Sequence, residues 1–318
     1  MEKRNLGRTG LSVAPIVFGG NVFGWTVDEK QSFSLLDAFV DAGFNAIDTA
    51  DVYSLWADGN KGGESETIIG HWLKQNPSRR DQVLIFTKAG GDLGIPGHKG
   101  LSAKWITQAI EDSLRRLHCD TIDLYFSHCP DPGTPCEETL GAYERLLAAG
   151  KIRHIGASNF NAQQLQNALN TAGQHQLPRY DVLQPEYNLY QRGGFEHELQ
   201  NLCIREEIAV ITYYSLASGF LSGKYRGKDD LGQSRRSDRV TQYINDRGMR
   251  ILHALDSISE KYQTKQADVA LAWLMARPGV TAPIVSATRI SHIDSFVRAA
   301  NLKLSTEDMQ FLNAASAE

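Results

Sequence analysis

The feature that most limits what this chain can become is a rhythm: short apolar runs alternate with amphipathic stretches eight times along 318 residues. The runs at 16–18, 44–47, 83–87, 122–127, 152–156, 181–184, 208–213 and 282–286 read as strands. Stretches near 28–42, 64–75, 103–118, 137–149, 162–172, 195–206, 239–262, 266–276 and 292–300 read as helices. Parallel strands need crossover connections, and eight strand-helix units close into a barrel with its working loops at the carboxyl ends of the strands. The expectation is one (β/α)8 barrel domain over residues 1–318, preceded by a β-hairpin that turns at Gly7-Arg-Thr-Gly10. The 42% hydrophobic content is enough to fill such a core.

What the strands lead into suggests chemistry. The second run empties into Asp48 and the chain then passes Asp51 to reach Tyr53, while the third and fourth runs lead into Lys88 and His128. A carboxylate at a buried strand end is costly unless a cation pairs with it, so Asp48 calls for a partner such as Lys88. Later strand ends also deliver polar or aromatic groups: Ser158 with Asn159, Gln184, Tyr213, and Thr288 with Arg289. A barrel whose carboxyl face forms the site accounts for that pattern.

Asp48, Tyr53, Lys88 and His128, in this order on successive strand ends, resemble the catalytic tetrad of the aldo-keto reductases. The likeness continues from Asn5-Leu-Gly-Arg-Thr-Gly-Leu through Gly63-Glu-Ser-Glu and Gly156-Ala-Ser-Asn-Phe to the strand end near Arg289. It implies hydride transfer from NADPH to an aldehyde or ketone, with Tyr53 as general acid. Lys88 would lower the Tyr53 pKa by favouring phenolate, Asp48 would hold Lys88, and a neutral His128 would hydrogen-bond the substrate oxygen. By the same resemblance Ser158, Asn159 and Gln184 bind the nicotinamide amide and Tyr213 stacks on its ring. Gly20 joins the cofactor set, Leu216, Ser218, Gly219 and Lys224 follow the pyrophosphate, and Thr288, Arg289 and His292 meet the 2′-phosphate. For Ser158 and Asn159 a capping role ahead of the next helix is the competing reading. The chain departs from the family pattern at His292, where Gln is common, and at Ser295-Phe296, where Glu-Asn usually holds the adenine. The pocket wall is expected from loops around Phe23, Trp25, Leu55 and Trp56 and from the segment after Tyr213, and residues 223–237 read as either a solvated loop or a cofactor-covering lid.

Several other classes are disfavoured. No strand is followed by GxGxxG, and Gly219-Phe-Leu-Ser-Gly-Lys-Tyr225 is one residue short of a P-loop, with Tyr225 where a hydroxyl must reach magnesium. A net charge of −4 offers no reason for nucleic acid or an anionic membrane as partner. Four cysteines without CxxC or metal-ligand spacing, and no apolar run long enough to span a bilayer, lead us to expect a soluble cytoplasmic protein without a metal. Two alternatives stay open: a lyase in which Lys88 forms a Schiff base, and a nicotinamide-binding regulatory subunit with slow turnover.

Overall fold

The computed structural model describes residues 1–232 and 237–317. It begins with an antiparallel pair, β1 (Arg4–Asn5) and β2 (Ser12–Val13), with Arg4 opposite Val13. Eight parallel strands follow: β3 (Val17–Gly19), β4 (Ala46–Asp48), β5 (Leu84–Ala89), β6 (Ile122–Ser127), β7 (Ile152–Ser158), β8 (Val182–Gln184), β9 (Ala209–Thr212) and β10 (Val280–Val285). They close in the order β10-β3-β4-β5-β6-β7-β8-β9, so the first and last strands meet with Val17 opposite Ile284. The helices are α1 (Glu29–Asp41), α2 (Glu64–Gln75), α3 (Ala103–Leu117), α4 (Cys136–Ala148), α5 (Ala162–His175), α6 (Glu198–Arg205), α7 (Ser237–Val240), α8 (Asp246–Lys261), α9 (Gln266–Met275), α10 (Ile290–Asn301) and α11 (Thr306–Ala315). This is the expected (β/α)8 barrel with its N-terminal hairpin. Among the described residues no helix is long and apolar enough to cross a membrane.

Successive strand side chains point to opposite faces, and here the two faces fill two separate cores. Inward residues, among them Val17, Ala46, Phe86, Leu124, Phe126, Val182, Ile211 and Ile284, form the barrel interior. Leu6 and Val13 of the hairpin segment join that interior cluster and stopper its amino-terminal end. Outward residues such as Ile47, Ile85, Ile155 and Val210 pack against Leu35, Trp72, Ile110 and Leu271 of the helices. Gly156 of β7 is required by packing, since a Cβ there would stand 2.3 Å from the Phe126 ring.

Helix starts follow their caps. Asp28, Ser102 and Asn161 accept the backbone N–H three residues on in α1, α3 and α5. The stretch expected as one helix over 239–262 is instead interrupted. Asn245 caps a fresh helix by accepting the Gly248 N–H at 2.9 Å, so α7, a 3-10 turn at Thr241–Tyr243 and α8 are separate. Helix α11 was not expected; a capping box of Ser305 and Asp308 starts it, and its few apolar positions give it a weak periodic signal. Of the segment expected as a loop or lid, residues 233–236 lie outside the described residues. Before them, Lys228–Asp230 forms a 3-10 turn and Arg226 donates two 2.7 Å bonds to Asp256.

Candidate active site

The site residues continue the inward face of the strands. Ala46, Phe86, Phe126, Val182 and Ile211 fill the interior, and the positions two residues further along are Asp48, Lys88, His128, Gln184 and Tyr213. The period-two alternation that fills the barrel therefore also lifts these groups onto its carboxyl rim. Tyr53 arrives from the loop after β4, which is tied down by the Asp51 N–H to Lys88 carbonyl bond of 3.1 Å.

Lys88 is wholly buried, and its ammonium donates to Asp48 Oδ2 at 2.6 Å, Thr49 O at 2.7 Å and Tyr53 Oη at 3.3 Å. Gln184 Nε2 donates to the other Asp48 oxygen at 2.9 Å. Burial pushes the Asp48 pKa up and the Lys88 pKa down, each against the pull of its partner. Three acceptors around Nζ and two donors on the carboxylate are the surroundings of a charged pair, and they keep it ionised.

The Tyr53 hydroxyl differs from expectation. Its pKa is held well above the ordinary phenol value, first by burial and then by the Asp48 carboxylate, with Tyr214, Asp51 and Cys129 adding to the rise. The lowering expected from Lys88, whose ammonium stands 3.3 Å from the phenol and 2.6 Å from Asp48, is outweighed by burial and by the Asp48 carboxylate. Tyr53 is thus a protonated phenol throughout the neutral range. Burial, and then Lys88, drive His128 down to about 3, so the imidazole is neutral. Its Nδ1 has no hydrogen-bond partner, and its ring lies 5.9 Å from that of Tyr53.

Around Tyr53 stands an aromatic rim. Trp56, 41% exposed, packs edge-on against the Tyr53 ring at 5.4 Å and against Trp25 at 5.9 Å. Phe23 is not part of this wall: it is fully buried and stacks on Phe18 at 5.3 Å. On the far side Tyr213 packs against Tyr214 and donates to Asn159 Oδ1 at 2.6 Å.

The remaining expected cofactor residues fall into two groups on the same rim. Ser158 donates to the Gln184 carbonyl at 2.9 Å, and Asn159 Nδ2 to the His128 carbonyl at 2.8 Å. Neither caps α5, whose cap is Asn161. Gln184 keeps its side-chain carbonyl free of these bonds, whereas both ends of the Asn159 amide are taken. Gly20 lies so close to Ser65 and the Asp48 carbonyl that a Cβ would meet them at 2.9 and 3.0 Å. After β9, Leu216 begins a turn in which Ala217, Ser218 and Gly219 all have positive φ. Lys224 follows, its Nζ 4.9 Å above the Tyr225 ring.

At the end of β10, Thr288 N–H donates to His292 Nδ1 at 3.2 Å. Burial lowers the His292 pKa, and Arg289, Lys224 and Lys265 lower it further. These three cations gather around one half-buried imidazole, and none forms an ion pair with a carboxylate among the described residues. Such a set fits a phosphate-bearing ligand. Lys265 was missed by sequence reasoning because it lies at the start of α9, away from every strand end. Of the departing positions, Ser295 and Phe296 point inward: Ser295 bonds to the buried Asp268 carboxylate, and Phe296 belongs to the outer core.

A (β/α)8 barrel with an ion pair, a phenol and a neutral imidazole converging on its carboxyl face has the arrangement of a barrel oxidoreductase. The chain belongs to the aldo/keto reductase family, whose family model matches residues 15–317. It is 32% identical to an uncharacterized oxidoreductase, YrpG, of Bacillus subtilis, covering 98% of this chain and 95% of that protein. It is 33% identical to a probable voltage-gated potassium channel subunit beta of Arabidopsis thaliana, over 95% of this chain and 92% of the other. Aldo-keto reductase AMT2 of Alternaria alternata is 30% identical over 96% and 89% of the two chains.

Proposed function

We propose that the protein is a cytoplasmic NADPH-dependent reductase that converts an aldehyde or ketone to the alcohol. The observation that carries this reading is the placement of the Tyr53 hydroxyl, 3.3 Å from Lys88 Nζ, with its ring 5.9 Å from that of His128. When bound, the dinucleotide supplies the hydride. The protein's part is to orient the carbonyl oxygen between Tyr53 and His128 and to pass it the Tyr53 proton, with Lys88 stabilising the phenolate left behind. Gln184 and Ser158 would hold the nicotinamide amide, and Lys224, Arg289, Lys265 and Thr288 the phosphates. Four free cysteines accord with a reducing compartment.

The Schiff-base alternative is disfavoured because Lys88 Nζ is buried and engaged by three acceptors. The similarity to a protein named as a channel subunit keeps a slow-turnover role in view. An aldehyde and ketone panel followed by nicotinamide absorbance, with NADPH and NADH in parallel, separates these readings. Turnover of at least one carbonyl with NADPH is expected; none with either cofactor removes the reductase reading.

A further inference from the structure

Behind the tetrad, between the barrel wall and helices α2 and α3, lies a second ionic group, with a buried carboxylate and a partly exposed guanidinium. Glu66 of α2 accepts from Thr87 Oγ1 at 2.5 Å and from Arg116 Nε of α3 at 2.6 Å. Asp51 sits beside this group, 2% exposed, and neither of its carboxyl oxygens makes a well-formed hydrogen bond. Facing it are Glu66 from α2, Arg116 from α3, Lys88 from β5, Tyr125 from β6, Tyr143 from α4 and Tyr53 from its own loop. The Tyr125 hydroxyl, also buried, has no partner either.

Charge counting decides what Asp51 is. The two cations, Lys88 and Arg116, are each already in contact with one carboxylate, Asp48 and Glu66, at 2.6 Å. Asp112 on α3 is taken by Arg115 at 2.8 Å. A third carboxylate in this enclosed space would have no counterion, and an unpaired buried charge takes up a proton instead.

We propose that Asp51 is a positioning residue for the tetrad: it folds as the uncharged acid, and its ionisation as pH rises adds a negative charge beside Lys88 and Tyr53 that slows proton donation. This rests on the reductase reading above. Burial, and next the Glu66 carboxylate, hold the Asp51 pKa well above the usual carboxyl range, while Arg116, a backbone contact to Val52 and Lys88 work against them. The Asp51 charge is also among those that raise Tyr53.

The test compares wild type with Asp51→Asn, which mimics the protonated acid. An unfolded Asp ionises near ~3.9, so a proton retained on folding lowers stability increasingly as pH rises from there to the folded pKa. Asn carries no such proton. The melting temperature of Asp51→Asn relative to wild type should therefore climb by at least about 2 °C between pH 5 and pH 8. The ratio of variant to wild-type reduction rates should rise at least about threefold from pH 7 to pH 9, the effect of roughly half a pKa unit on the donor. Glu66→Gln frees Arg116 for Asp51, and should move the alkaline loss of activity to lower pH. A melting difference that is flat or falls with pH means that Asp51 is ionised in the folded protein and overturns the proposal. A rising melting difference with a flat rate ratio overturns the link to the tetrad. Absence of turnover by wild type refutes the reductase reading itself, while the melting series still reports the charge on Asp51.

Discussion

Replacing Lys88 by Met tests the ion pair at the centre of the site. Methionine roughly preserves the volume of the stem but removes three donated bonds, to Asp48, Thr49 O and Tyr53. Asp48 is left 2% exposed with Gln184 as its remaining side-chain donor. Removing one partner of a buried pair costs about 3 to 5 kcal/mol, equivalent to roughly two to four pKa units on the stranded carboxyl. At about 2 °C per kcal/mol for a chain of this size, the melting temperature should fall by roughly 6 to 10 °C at pH 7. Part of that cost is electrostatic and has a defined pH dependence. The folded Asp48 pKa, already raised by burial, rises further without Lys88, so stability is lost as pH climbs from the unfolded value near ~3.9 towards the folded one. The gap between variant and wild type should accordingly be smallest near pH 4, where the loss of the bonds to Thr49 O and Tyr53 remains, and grow towards pH 7. Thermal and urea unfolding across that range measures it, and Asp48→Asn in the Lys88→Met background should recover most of the loss. A gap below about 1 kcal/mol at pH 7, or one that does not change with pH, would refute the claim that Lys88 and Asp48 form a buried charged pair.

Tyr53→Phe should leave cofactor binding, read by fluorescence titration, nearly unchanged while lowering the reduction rate by about 10²- to 10⁴-fold; retention of half the wild-type rate, with hydride transfer limiting, removes Tyr53 as the acid. Because His128 is held neutral down to about 3, the reduction rate should show no inflection near the ordinary His value of ~6.5. An NMR-titrated imidazole at that value would contradict the burial argument. Arg289→Ala and Lys265→Ala should each weaken NADPH more than NADH, by about 10- to 150-fold for a charge-assisted bond, and rising salt should shrink the preference. Equal losses of the two cofactors in calorimetry would take the altered residue out of the phosphate site.

The strand-helix rhythm carried the barrel, and parity carried much of the rim. A residue two places beyond an interior position must face the barrel axis, so Asp48, Lys88 and Gln184 could be placed without coordinates. What escaped depends on contacts between distant segments. Nothing local in the sequence says that Tyr213 bonds to Asn159, that Phe23 turns into the core, or that Lys265 joins Arg289 around His292. The direction of the Tyr53 shift escaped because no local pattern states how deeply the phenol is buried: desolvation, and then the Asp48 carboxylate, outweigh the ammonium 3.3 Å away. Helix ends were legible where caps are strong, as at Asp28 and Ser102, and the break at Asn245 carried the same signal within a long helical pattern.

Closure of the barrel joins β3 to β10, and Arg4 reaches across the same seam to donate to the Met275 and Thr281 carbonyls at 3.0 and 3.1 Å. During synthesis on the ribosome these early residues emerge more than 200 positions before their partners, a delay of tens of seconds at about 5 to 20 residues per second. Until then one edge of β3 is open, and Leu6 and Val13 have no complete interior to stopper. A nascent chain interrupted before β10 would therefore present its amino-terminal strand to neighbouring polypeptides, so the last strand to be made governs whether the first one is safe from aggregation.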